Sequence, residues 1–285
     1  PPAPLAPLLS PVPTIVTIHD LAFMDVTGSH RKANRRYLAA ATRQGVRQAA
    51  HIFAVSEYSK QAIVERLGID SARISIAYNA AGEQYRPRSA AELAAWRRDK
   101  GVPEQFMLYL GTLEPRKNIP NLLRAYAKVR AEVQMPLLIG GGKGWHFEEI
   151  FATHAELGLG DSVQFLGYVP SEDLPLWYNA ATLFVYPSRY EGFGIPPLEA
   201  MASGTPVLTT NATSIPEVVG DAAIQVDPDD VDGMADQLRR LAHDQALRAD
   251  LRERGLRRAG DFSWATLAQN TLEVYRQVGG GGQPK

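Results

Sequence analysis

The sequence predicts an α/β protein with two parallel-sheet domains, the second a complete doubly wound sheet and the first apparently incomplete. Two observations carry this. Short apolar, β-branched runs alternate with amphipathic helical stretches along most of the 285 residues, the pattern of parallel strands joined by helical crossovers. Six such runs lie between Phe106 and Val226 but only three between Thr14 and Tyr78, whereas about five or six strands make a full sheet of this kind.

Residues 1–13, PPAPLAPLLSPVP, read as a proline-rich extended lead-in. They have neither the basic start nor the continuous apolar centre of a signal peptide. Strands follow at Thr14–Ile18, Ile52–Val55 and Ile74–Tyr78, separated by helices over Asn34–Ala49 and Glu57–Leu67, the latter capped by Ser56. The polar, turn-rich and locally helical stretch near residues 80–104 reads as a linker. Beyond it, strands are expected at Phe106–Leu110, Leu137–Ile139, Val163–Leu166, Leu183–Tyr186, Pro206–Thr209 and Ala223–Val226. Helices over Ile119–Val133, Phe147–Leu157, Leu174–Ala180, Pro197–Ala202 and Val231–Ala242 fill the gaps. Right-handed crossovers then put the strands' carboxyl ends on one rim, where ligands of open α/β sheets bind. The glycine-rich tail, residues 279–285, reads as flexible.

Composition narrows the function. Thirty basic and 31 acidic residues give a net charge of −1, so there is no general electrostatic reason to expect nucleic acid. With no cysteine, disulfides, thiolate zinc sites and cysteine nucleophiles are excluded together; a reducing compartment is compatible with this. No uninterrupted apolar run approaches the ~20 residues of a membrane-spanning helix.

The most informative stretch is YEGFGIPPLEA, Tyr190 to Ala200. It follows a strand, so its loop lies at the carboxyl rim. Gly192 and Gly194 permit close backbone approach to a ligand. Pro196 and Pro197 suit the first positions of a helix, whose free N–H groups favour an anion such as a phosphate. Glu199 is expected in the first turn, where it would repel that anion unless it points elsewhere. Carboxylates are strong acceptors for vicinal hydroxyls, so Glu191 and Glu199 suit hydroxyl-rich rings on both sides of a phosphate. That describes a nucleotide-sugar. The plainer reading is a solvated loop acid and a dipole-complementing one.

These residues carry a resemblance. EGFGIPPLE resembles the E-x7-E motif of the retaining family-4 glycosyltransferases, which have the GT-B fold of two facing Rossmann-like domains. Other segments are similar in the same order: TIVTIHDLAF, FAVSEYSKQAIVERLGI, YLGTLEPRKNIPNLLRAY, FLGYVPSEDLPLWYNAATLFVYPS and FSWATLAQNTLEVYR. The resemblance covers nearly the whole chain, from residue 12 to 278. The resemblance implies a partial first, acceptor-side domain over residues 1–95 and a nucleotide-sugar-binding domain over 96–262. A closing helix over 263–278 would cross back to the first domain. It implies that Glu191 contacts hydroxyls of the donor sugar and that Gly192, Phe193 and Gly194 line sugar and diphosphate. Glu199 would hold the ribose, Lys117 with Arg116 would neutralise the diphosphate, and His19 would sit beside the transferred sugar. Gly111, Thr112 and Val169 complete the donor-binding set. Many members carry a basic residue where this chain has Thr112, which shifts the expected phosphate contacts to Lys117 and Arg116. Members also begin with a strand and glycine-rich loop that nothing here matches.

Lys117 lies just ahead of a helix start, unfavourable for a cation unless an anion lies between; a solvated Arg-Lys pair is the alternative. His19 follows a strand, and Asp20 either orients its ring or caps the next turn. Asp227–Asp230 contains an Asp-x-Asp pattern but sits where a helix begins, which favours capping. IGGGKGW lacks both phosphate-loop signatures and is expected to shape the cleft rim. The six histidines show no paired metal-ligand spacing. Six basic residues and no acid lie between Arg31 and Arg47: a solvated helix face by default, or contact with anionic lipid or a lipid-diphosphate acceptor.

The expected function is retaining transfer of a hexosyl group, mannose favoured, from a nucleotide-diphosphate sugar to an acceptor hydroxyl in polysaccharide or glycolipid synthesis. The donor is a co-substrate, GDP-mannose leading, and no metal or other cofactor is expected. A cytoplasmic location with peripheral contact at the inner membrane face through Arg31–Arg47 goes with it, and no nucleic-acid partner. The rivals are a non-catalytic nucleotide-sugar-binding or scaffold subunit, an epimerase of the same fold, and a first sheet completed by another chain.

Overall fold

The computed structural model describes residues 10–25 and 32–280. The chain divides into two compact units. The first runs through Ala80 and also takes in Glu191–Phe193 and the residues from Phe262 onward; the second comprises Ala81–Tyr190 and Gly194–Asp261.

In the first unit, β1 (Ile15–Ile18), β2 (His51–Ala54) and β3 (Ile74–Ile76) form a parallel sheet in the order β1-β2-β3. Between them lie α1 (Ala22–Asp25), α2 (Lys32–Gln48) and α3 (Glu57–Leu67), and α12 (Trp264–Gly280) closes the unit. Strand residues alternate between faces. Ile52, Ala54 and Ile74 pack with Val46 of α2 and Ile63 of α3. Phe53 and Ala77 pack on the opposite side with Val274, Leu267 and Val278 of α12. Ser56 caps α3 by accepting the Ser59 N–H at 3.0 Å.

The second unit begins with α4 (Ala90–Lys100) and continues through β4 (Met107–Leu110), α5 (Ile119–Val133), β5 (Leu137–Gly140), α6 (Glu148–Glu156), β6 (Val163–Gly167) and α7 (Leu174–Ala180). It then adds β7 (Leu183–Tyr186), α8 (Ile195–Ala202), β8 (Val207–Thr210), α9 (Ile215–Val219), β9 (Ile224–Val226), α10 (Val231–His243) and α11 (Gln245–Gly260). All six strands are parallel, in the order β6-β5-β4-β7-β8-β9. Strands β4, β5, β7 and β8 are buried on both faces, which is why they read as continuous apolar runs. The strand order reverses between β4 and β7, so the crevice at their carboxyl ends is the natural ligand position.

Every expected strand is present, with ends shifted by a residue or two. Several helical segments differ from the sequence reading. The stretch read as a linker contains α4, which docks on α7. Trp96 meets Trp177 edge-on at 4.9 Å, the Arg88 N–H donates to Asn179 Oδ1 at 2.8 Å, and Arg97 donates to the Ala180 carbonyl at 2.6 Å. Helices α9 and α11 were not anticipated; in α11 only Leu251 and Gly255 are buried, so no apolar period betrays it. Helix α8 begins at Ile195, not Pro197. Gly279 and Gly280 continue α12; residues 281–285 of the expected flexible tail and 1–9 of the lead-in lie outside the described residues.

Candidate functional site

A cleft of about 470 Å³ opens at the carboxyl ends of β4, β5 and β6. Its walls are Gly111 and Thr112 after β4, Gly140–Lys143 at the end of β5, Tyr168, Val169 and Ser171 after β6, Tyr178 of α7, and Pro196 and Glu199 of α8. The β4 and β5 loops are zipped together: Gly111 N–H donates to the Gly140 carbonyl at 3.0 Å, Leu113 N–H to Gly142 at 2.9 Å, and Gly144 N–H to Leu113 at 2.9 Å. This approach demands glycine at 141. Its φ is 154°, and a Cβ there would lie 1.9 Å from the Gly111 carbonyl oxygen.

Glu199 is half-buried and falls in the second turn of α8, because the helix starts two residues earlier than expected. The first-turn placement read from the sequence is therefore corrected: the carboxylate lies beyond the positive end of the helix. The Tyr178 hydroxyl donates to Glu199 Oε2 at 3.0 Å, and the Tyr85 hydroxyl also hydrogen-bonds the carboxylate. Burial pushes the Glu199 carboxyl up to about 7, against the two tyrosine hydrogen bonds that favour its charged form. Burial, with the nearby carboxylate, likewise holds both tyrosine hydroxyls above their usual range.

A stability consequence follows. The folded pKa lies above the unfolded one, so the contribution of the neutral carboxyl is present below the ordinary value of 4.5 and is lost as pH rises through about 7. Glu199→Gln should leave thermal stability near that of the parent at pH 4 and raise it above pH 7, by about 2–4 °C per kcal/mol recovered. A melting-temperature difference that stays constant from pH 4 to pH 8 would contradict this.

The switch point between β4 and β7 carries Arg116 and Lys117. Lys117 is buried; its Nζ donates to the Tyr186 hydroxyl at 2.5 Å and lies 5.0 Å from that ring's centroid. Arg116 Nε meets Glu114 Oε1 at 2.6 Å, and its Nη1 donates to the Tyr190 carbonyl at 2.9 Å. Trp145 Nε1 donates to the other Glu114 oxygen at 2.9 Å. The Arg116 carbonyl accepts from Arg189 N–H at 2.8 Å and Ser188 Oγ at 3.2 Å. Arg116 thus braces the β4 loop against the β7 loop. Neither Arg116 nor Lys117 is among the cleft's lining residues.

In the first unit His19 follows β1, and Asp20 Oδ1 accepts the Ala22 N–H at 3.0 Å, which caps the next turn. The Gly192 carbonyl accepts from Ser56 Oγ at 2.7 Å and Ser59 Oγ at 3.1 Å. A Cβ at Gly192 would lie 1.9 Å from the His19 carbonyl oxygen. The Phe193 ring centroid lies 6.1 Å from that of Tyr78 and 5.6 Å from that of Phe262, and Glu191 is buried. The expected residues thus fall into sets. Gly111, Thr112, Val169 and Glu199 line the cleft. Arg116 and Lys117 sit at the switch point of the same unit, where Gly194 caps α8 with φ 112°. His19, Glu191, Gly192 and Phe193 belong to the first unit. Tyr85, Tyr178, Tyr168 and Lys143 were missed.

Other sequence features resolve simply. Asp230 caps α10 by accepting Gly233 N–H at 2.8 Å. Arg43 and Arg47 of α2 are exposed; Arg31 and the side chains of Lys32, Arg35 and Arg36 lie outside the described residues. Among the described residues no helix is long and apolar enough to cross a membrane.

A doubly wound parallel-sheet unit with a cleft at its carboxyl rim and a half-buried carboxyl in the cleft wall is an α/β unit of ligand-binding form, and comparison with known proteins specifies it. The model of glycosyl transferases group 1 matches residues 94–258, and that of glycosyltransferase family 4 matches residues 1–81. The chain belongs to the group 1 glycosyltransferases. It is 38% identical to the O-antigen chain mannosyltransferase B of Escherichia coli over 92% of this chain and 70% of that protein. It is 34% identical to the serotype-specific mannosyltransferase WbdA of Escherichia coli over 80% of this chain, but only 29% of that protein. Among solved structures, sucrose-phosphate synthase from Thermosynechococcus elongatus matches with TM-score 0.81 and 25% identity, covering 94% of this chain and 68% of that one. Anabaena HepE in complex with UDP and glucose matches with TM-score 0.79 and 22% identity, covering 92% and 71%. The α/β, GT-B architecture expected from the sequence is the observed one.

Proposed function

We propose that this chain is a retaining mannosyltransferase of polysaccharide synthesis that uses GDP-mannose. The observation that carries the reading is the cleft at β4, β5 and β6 with Glu199 set in its wall between two tyrosines. A carboxylate so held accepts from the vicinal hydroxyls of a ribose. The mannose preference rests on relatives named as mannosyltransferases. Lys117 and the positive end of the α8 dipole stabilise the departing diphosphate as an oxocarbenium-like sugar forms, while Arg116 keeps the two loops in register. The roles proposed for His19 and Glu191 are contacts to the transferred sugar. Retention follows a front-face course in which the leaving phosphate helps deprotonate the acceptor hydroxyl.

Calorimetry with GDP, UDP and ADP, followed by turnover of radiolabelled donor against a panel of acceptors, tests the reading. Glu199→Ala should weaken GDP binding by about tenfold to a hundredfold, the loss of hydrogen bonds to a charged acceptor; unchanged donor affinity counts against the ribose role. Donor binding without turnover on any acceptor would favour a binding subunit, and interconversion of the free nucleotide-sugar would favour an epimerase. Peripheral membrane contact is proposed through the basic face of α2: cosedimentation with anionic vesicles at low salt should be lost in the double variant Arg43→Glu, Arg47→Glu, and no sedimentation of the parent chain would end the idea.

A further inference from the structure

Among the described residues, the cation in the cleft wall is neither of those the sequence singled out. Lys143, at the end of β5, lines the cleft. Its Nζ lies 4.9 Å from the ring centroid of Phe147 and 5.4 Å from that of Phe151. Among the described residues no carboxylate and no hydrogen-bond acceptor engages it. The ring faces attract the charge without supplying an oxygen or nitrogen acceptor, so the ammonium keeps three N–H donors for a ligand. The backbone on either side is fixed by the Leu113–Gly142 and Gly144–Leu113 hydrogen bonds. Only the side chain has to swing, and an exposed ring face holds the charge weakly.

The cleft therefore has two chemically opposite parts. Glu199, on α8, accepts from hydroxyls. The wall formed after β5 and β6 offers Lys143 as donor, and Tyr168, 74% accessible, adds an aromatic face to the same cleft. On that reading, with the ribose on Glu199 and the diphosphate at the start of α8, the part of the cleft wall left for the base is the one that carries Lys143. We propose that Lys143 selects the nucleobase, favouring guanine over adenine. Guanine presents two adjacent acceptors, O6 and N7, to an ammonium; adenine presents N7 beside an amino group that repels it. This inference rests on the nucleotide-sugar reading above and names the residue that would set its donor class.

The test is calorimetry of GDP, UDP and ADP with the parent chain, Lys143→Met and Lys143→Arg. Because Lys143 is exposed, the variants should fold, which thermal melts verify. Lys143→Met should lose about tenfold or more in GDP affinity with ADP little changed, and Lys143→Arg should keep the preference for GDP. Equal losses for all three nucleotides would assign Lys143 to the phosphates and overturn the proposal, as would an unchanged GDP-to-ADP ratio. If Glu199→Ala abolishes binding while Lys143→Met changes nothing, the base-selecting role alone fails. A parent chain that binds none of the three defeats the nucleotide reading itself, and this inference with it.

Discussion

Lys117→Ala is expected to lower turnover about a hundredfold to a thousandfold, the loss typical when a fixed group opposite developing negative charge is removed. Lys117 is buried, and its Nζ donates to the Tyr186 hydroxyl at 2.5 Å and lies 5.0 Å from the centroid of that ring. Tyr186 stacks in turn on Tyr109. Lys117→Met separates charge from packing: it keeps most of the volume and should lose nearly as much activity as alanine. Steady-state kinetics on the assembled protein, with melting temperature as control, checks this. Turnover within about threefold of the parent would remove Lys117 from the catalytic assignment.

Gly141→Ala should have the largest effect on the cleft itself. The added Cβ would fall 1.9 Å from the Gly111 carbonyl oxygen, and the φ of 154° disfavours any L side chain. Backbone cannot yield as a flexible side chain does, so the zipped β4 and β5 loops have to part. We expect a cost of about 2–5 kcal/mol, from strain at the special backbone conformation together with the overlap, and loss of nucleotide binding. Gly142→Ala, where a Cβ meets nothing within 4 Å and φ is not in the left-handed range, is the matched control and should be nearly neutral. Equal melting temperatures for both variants would show that the two loops are not held as described.

The parallel strands were legible because their burial leaves continuous apolar runs bounded by turns, and LFVY at β7 was read to the residue. The Glu-rich motif gave Glu199 because glycines and prolines around it mark a rim loop followed by a helix. What escaped has identifiable causes. Helix α4 was read as linker because alanine and charge dominate it and one aromatic, Trp96, does the docking. Helix α11 hides its contact in Leu251 and Gly255, against Met201 of α8. Tyr85 and Tyr178 converge on Glu199 from separate elements, one before α4 and one on α7, and no local spacing encodes that convergence. Lys143 was passed over because its glycine-rich setting matches no phosphate motif; its importance depends on Phe147 and Phe151 a turn or two later and on the neighbouring strand's loop.

The perpendicular indoles of Trp96 and Trp177 have a practical corollary. Two such chromophores 4.9 Å apart couple their electronic transitions and give a split signal in ultraviolet circular dichroism. Helix α7 carries both Trp177 and the tyrosine that steadies Glu199. The couplet is therefore a label-free optical gauge, readable during a titration, of whether α4 stays seated on α7 when nucleotide is added.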